Sequence, residues 1–238
     1  MLWYKAWLET RSRFLISLIG MVALCLVFVL YGDRSPAYEV SSDYYNYVLF
    51  ACHQILVMMW TLAVTLTMMG GLLREKATGS SSFTLALPVS RVRLMMVRIG
   101  TGLIQAFLLA IVPCVAMFSV NSIFGKTHSV SQAAYYLVLL LGGGLLFFAM
   151  AVLVSSVIGG EYTAPVVSFG AVIVTAVALS SVQLRRYSPW EFMTGLKYLN
   201  RQTNLLSFPI PWLQAAIYML VAGLLLALSV IAVQRREF

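Results

Sequence analysis

Six long apolar runs constrain this chain more than any other feature. They lie at about 14–31, 47–73, 94–124, 134–158, 163–182 and 212–233. A hydrocarbon core of about 30 Å takes about 20 consecutive apolar residues to cross as a helix, and each run approaches or exceeds that length. The runs are continuous and rich in Leu, Val, Ala and Met rather than short and alternating, which points to helices and away from a membrane barrel. Composition agrees: 61% of residues are hydrophobic, 10% are charged and the mean hydropathy is +0.90, a balance foreign to soluble globular domains. The expectation is an all-α integral membrane protein of six transmembrane helices, forming a single domain over 1–238.

The first run follows the charged stretch between Lys5 and Arg13 and has no convincing small-residue cleavage site after Leu30, so it is expected as a retained span and not a cleaved signal peptide. An inward amino terminus places ten basic residues on the cytoplasmic side, from Lys5, Arg11 and Arg13 through Arg74, Lys76, Arg91, Arg93 and Arg98 to Arg235 and Arg236. Six remain outside, four of them in one longer loop. The bias predicts that both termini are cytoplasmic. The net charge of +8 then reflects orientation and anionic lipid headgroups, and nucleic acid is not expected as a partner.

Cys25, Cys52 and Cys114 all fall inside apolar runs and are expected as packing residues without a disulfide framework. His53 and His128 have no Cys or carboxylate at ligand spacing, so no metal site is expected. His53 and Gln54 in the second run and Gln105 in the third are polar at membrane depth. Each must face protein or a water-filled path, and interhelical hydrogen bonding is the first expectation, with contact to a transported substrate the second. Pro113 and the Gly142, Gly143, Gly144 run are expected to bend one helix and to allow close approach at another.

Ahead of the first span, Trp3 and Trp7 stand one helical turn apart, with Lys5, Glu9, Arg11 and Arg13 as polar flanks. The pattern predicts an amphipathic helix over 2–13 lying at headgroup depth. Between the fifth and sixth runs, Ser188, Pro189, Trp190 and Glu191 form a Ser-x-x-Glu capping box with Pro at the first helical position. A short helix with Trp190, Phe192, Met193, Leu196 and Leu199 as its apolar surface is expected there, within an outer helical hairpin closed by Pro209 and Pro211 before the last span. Between the second and third runs, Ser80, Ser81 or Ser82 can cap a brief lateral helix carrying Phe83, Leu85 and Leu87, which Pro88 ends.

The ordered sequence Glu75, Gly79, then Leu87-Pro88-Val89-Ser90-Arg91 resembles the inner loop of permease subunits of ABC-2 type ATP-binding cassette transporters. Ser80 replaces their usual Thr. The layout of amphipathic amino-terminal elbow, six spans, short second inner loop at 159–162 and outer hairpin is similar as well. The resemblance implies the membrane subunit of an ATP-driven exporter in a bacterial cytoplasmic membrane. It would pair with a second copy or a homologous permease and with separate P-loop ATPase subunits, which would hold the ATP and magnesium. It also implies that Glu75, Gly79, Phe83, Leu87, Pro88 and Arg91 make or position a coupling helix. The chain itself has no Gly-x-x-x-x-Gly-Lys-Ser/Thr loop, and so lacks the cradle and lysine that nucleotide phosphates need. No nucleophile–base pair and no His-Glu-x-x-His helix occurs, so no catalytic role and no cofactor are expected. The other readings are an ion-coupled secondary transporter and a membrane assembly protein without transport.

Overall fold

The computed structural model describes residues 2–32, 42–68, 90–123, 130–158, 163–179, 185–200, 202–207 and 209–235. Among these, seven α-helices carry almost all of the regular structure: α1 Leu2–Gly32, α2 Ser42–Thr67, α3 Arg91–Ile123, α4 Val130–Val157, α5 Thr163–Ala178, the short α6 Pro189–Thr194 and α7 Trp212–Gln234. Five of them, α1 to α4 and α7, are long and apolar enough to cross a bilayer. At 16 residues, α5 covers about 24 Å at 1.5 Å per residue, short of a full crossing. The fifth expected span is therefore apolar but not of crossing length within its described part.

Three pairings set the bundle's directions. Trp3 rests against Gly100 and Gln105 reaches Thr10, so α1 and α3 run the same way. The Trp60 indole donates to the Ala106 carbonyl at 3.0 Å and Arg98 to the Met68 carbonyl at 3.5 Å, so α2 runs against α3. Gly144 lies under Trp60, while Phe148 and Met68 both meet Gly102, so α4 runs with α2. Successive helices thus alternate in direction, as a chain threading a bilayer requires. The start of α1, the end of α2 and the start of α3 share one end of the bundle.

The amphipathic stretch 2–13 is not a separate element, because α1 continues through it without a break. Its protein-facing stripe is the reason. Thr10, Phe14, Met21, Cys25 and Val29 are all buried at spacings of seven and four, so one seam packs on α2 and α3 from end to end. No proline interrupts it. On the other face Lys5 and Glu9 pair across one turn at 3.8 Å.

Hydroxyls within the apolar helices largely satisfy themselves. Thr61, Thr65, Thr67, Thr101, Ser155, Ser156, Thr175 and Ser229 each donate to a carbonyl three or four residues earlier. That back-bonding lets a helix carry them at membrane depth with no partner elsewhere. Pro113 sits inside α3, which stays helical on both sides of it.

The close approach expected at the glycine run occurs. A Cβ on Gly144 would stand 2.5 Å from Trp60 Cζ3, and one on Gly143 would stand 2.5 Å from Met193 Cγ and 2.9 Å from the Pro189 carbonyl. Only a residue without a side chain fits between those groups. The side-chain-free strip of α4 thereby seats α2 through Trp60 and the segment before α7 through Met193.

Candidate functional site: the anchored segment before the last helix

The residues from Arg185 to Pro211 form the most elaborately held part of the molecule. Two 3₁₀ turns, Arg185–Tyr187 and Leu196–Tyr198, flank α6, and a two-residue antiparallel ribbon, β1 Leu199–Asn200 with β2 Leu205–Leu206, follows. The expected helical hairpin is therefore one six-residue helix and a β-turned return. Gly195 takes φ +70° and ends α6, a left-handed position that suits glycine. Asn204 at φ 51° turns the ribbon.

The start of α6 follows the sequence expectation in part. Pro189 occupies the first turn, and the Ser188 hydroxyl accepts the Glu191 N–H at 3.4 Å. The reciprocal half of the capping box is not made. Glu191 instead accepts from Arg185 Nε at 2.6 Å, because the preceding 3₁₀ turn brings the guanidinium beside it.

The end of α6 explains His53 and Gln54. A helix leaves its last four carbonyls without intrahelical partners, and six residues leave little else. The Gly195 N–H bonds the carbonyls of Glu191 and Phe192. The Met193 carbonyl accepts from His53 Nε2 at 2.8 Å, and the Thr194 carbonyl accepts from Gln54 Nε2. All four are satisfied. A carbonyl only accepts, so His53 carries its proton on Nε2, and its ring lies 4.6 Å from that of Tyr136. His53 is 1% exposed.

Other anchors come from α2, α4 and α7. The Gln132 side chain takes both main-chain groups of Leu206, donating to its carbonyl at 3.0 Å and accepting from its N–H at 3.3 Å, as a neighbouring strand would. Asn46 donates to the Thr203 carbonyl at 3.0 Å. From α7 a chain runs back: Tyr198 hydroxyl to Gln214 Oε1 at 2.8 Å, Gln214 Nε2 to the Tyr218 hydroxyl at 2.8 Å, and that hydroxyl to the Tyr187 carbonyl at 3.1 Å. Burial and the neighbouring Tyr218 raise the Tyr198 phenol above its ordinary value. Phe192 and Met193 are 2% and 0% exposed and fill the space over Gly142 and Gly143. Phe192 meets Tyr218 edge-on at 5.2 Å, and Trp190 meets Phe147 at 6.3 Å.

The segment therefore closes the end of the bundle where α2 and α4 begin, opposite the amino-terminal end. Of the apolar surface expected for α6, Trp190, Phe192 and Met193 face protein, but Leu196 lies past the helix and is exposed. Gln105 belongs to neither end. Its Nε2 donates to Thr10 Oγ1 at 2.6 Å, tying α3 to α1, while its Oε1 has no partner among the described residues. Trp3, Trp7 and Arg11 lie on α1, the two indoles half exposed or nearly so and Arg11 exposed. Glu75, Gly79, Phe83, Leu87 and Pro88, like the short loop at 159–162, lie outside the described residues. Arg91 opens α3.

Sequence reasoning missed Gln132, Asn46 and Gln214 as anchors. Two of them sit at helix starts, where a polar residue carries no distinguishing signal. Comparison of the chain with protein-family models, with curated proteins and with solved structures returns no match.

Proposed function

We propose that this chain is the membrane-spanning subunit of an ATP-driven exporter of the ABC-2 permease type. Separate P-loop ATPase subunits would supply the nucleotide chemistry, and a second copy or a homologous permease would complete the pathway. In this reading α5 is the fifth of six spans and both termini are cytoplasmic, in a bacterial inner membrane. The single observation that supports it most is the arrangement of ends. Met68 and Arg98, which flank the Glu75–Arg91 motif, lie beside the amino-terminal part of α1, while the segment before α7 closes the other end. An inner motif for a motor and a closed outer end are what such a subunit requires.

The buried polar groups favour this over an ion-coupled carrier. His53 and Gln54 are committed to main-chain carbonyls of α6, and the apolar runs hold no acidic residue. A proton or cation relay needs ionisable groups in that interior. The substrate class is a lipid, peptide or drug-like molecule.

The test is co-purification with the ATPase encoded or expressed alongside this chain. Phe83→Asp combined with Leu87→Asp should abolish association while the permease still inserts into membranes. ATPase that stays bound to the double variant, or a complete complex with no P-loop subunit, would overturn the assignment.

A further inference from the structure

Because α1 is one unbroken helix, Arg11 stands in the middle of an apolar, outward-facing stripe. Tyr4, Trp7, Leu8 and Leu15 all fall within about 60° of it around the helix, at 3.6 residues per turn, and all four are exposed. Arg11 is exposed as well. Its neighbours one turn away on either side are Trp7, Leu8, Phe14 and Leu15, none of them acidic. Glu9 lies round the helix from it and pairs with Lys5 at 3.8 Å. Among the described residues the Arg11 guanidinium therefore has no hydrogen bond and no ion pair.

Two indoles on the same turns are held from the protein side. Trp3 rests on Gly100 of α3, where a Cβ would stand 2.6 Å from its ring, and Trp7 meets Phe14 at 5.6 Å between ring centres. Both rings still keep exposed area. They form a fixed aromatic border along the stripe that carries the arginine.

Depth narrows what can meet this group. From Arg11 to its end at Gly32, α1 rises about 32 Å at 1.5 Å per residue, close to the thickness of a hydrocarbon core at about 30 Å. Gln105 bonds Thr10 at the same level, and from there α3 rises about 27 Å to Ile123. On this side of the bundle both helices put Arg11 one hydrocarbon thickness from the opposite end, at the boundary where lipid phosphates lie and where indole rings settle.

The chemistry selects the occupant. An unpaired charge beside hydrocarbon is costly and draws in a counter-charge. The planar guanidinium fork matches two oxygens of one phosphate. Charge favours an anionic lipid over a zwitterionic one, because Lys5, Arg11, Arg13, Arg93 and Arg98 on the first turns of α1 and α3 face only Glu9 as an acid there among the described residues. Beyond the headgroup, Leu15 and Ile19 continue the exposed apolar stripe along which an acyl chain can lie.

We propose that the Arg11 face of α1 is a binding site for one anionic glycerophospholipid, its phosphate on the Arg11 guanidinium between the Trp7 and Tyr4 rings and an acyl chain along Leu15 and Ile19. The site rests on the membrane-spanning character of α1 and is independent of the transport assignment.

The experiment is native mass spectrometry of the full chain in mild detergent, equilibrated with equimolar phosphatidylglycerol and phosphatidylcholine of identical acyl chains. One phosphatidylglycerol per chain should be retained in preference to phosphatidylcholine. Arg11→Gln should lower that retention about tenfold, the scale of a lost hydrogen bond to a charged group, and Arg11→Lys should fall between the two. Arg93→Gln removes an exposed charge at the same end and should leave retention unchanged, which separates a local site from general attraction. Excess glycerol 3-phosphate should not displace the lipid. Equal retention of the two lipids, equal losses in the Arg11 and Arg93 variants, or displacement by the soluble headgroup would each overturn the site. A change in the monomer-to-dimer ratio of Arg11→Gln with lipid retention intact would give the face to a second copy of the chain and overturn it as well.

Discussion

His53 and Gln132 hold main chain and not side chain, and that fixes what their removal does. Polar contacts between helices in a bilayer are worth about 0.6 kcal/mol on average and up to about 1.7, so no one of them secures the segment alone. His53→Ala leaves the Met193 carbonyl without its donor and should cost about 1 kcal/mol. Gln132→Leu removes two bonds to Leu206 and should cost about 1–3 kcal/mol, near the penalty for leaving buried groups unpaired. The double variant should release the segment, seen as new protease cleavage between Arg185 and Pro211 with the rest of the chain intact. Unchanged cleavage would mean that the packing of Phe192 and Met193 suffices. Glycines give a sharper contrast. Gly144→Val drives a side chain into the Trp60 ring, which stands 2.5 Å from the Cβ position, whereas a Cβ at Gly20 meets nothing within 4 Å. The first should destabilise by about 2 kcal/mol or more through overpacking. Gly20→Ala should stabilise by up to about 1 kcal/mol through helix propensity. Unfolding in mixed micelles checks both.

At the scale of elements, the readable features were those written in neighbouring residues. The α6 start was legible because Ser188 and Pro189 are adjacent to it, and Ser188→Ala should loosen it by about 1 kcal/mol. Arg185→Ala removes a pair in which the arginine side chain is 60% exposed, so its effect should stay within about 1 kcal/mol. Hydrogen exchange at Phe192 and Met193 distinguishes the two variants, with only the serine change speeding exchange. The helical nature of the long runs was equally plain, since an uninterrupted apolar stretch has no other backbone solution in lipid. What escaped was long-range pairing. His53 and Gln54 were recognisable as needing partners, yet their partners lie 140 residues away and are main-chain carbonyls that carry no sequence mark. The fusion of 2–13 with the first span went unseen for a different reason. Its charges occupy one face only, and the buried seam from Thr10 to Val29 passes behind them.

Across the whole molecule, the alternation of α1 to α4 and the placement of the anchored segment set the two ends of the bundle apart, and the proposed cytoplasmic termini turn that into a sidedness prediction. In a chain freed of its native cysteines, Gln202→Cys should react with a membrane-impermeant maleimide in intact cells, and Arg235→Cys should react only after permeabilisation. These two residues bracket α7, whose 23 residues span about 35 Å. Labelling of both from the same side would mean that α7 does not cross.

The anchoring of α6 and its ribbon through carbonyls and amides has a consequence for how this protein can change over evolutionary time. Because His53, Gln54, Asn46 and Gln132 grip peptide groups, the side chains at Leu196, Lys197, Gln202 and Thr203, which point outward, contribute little to the seat. New residues at those four positions can alter what that exposed surface meets while the docking itself is inherited unaltered.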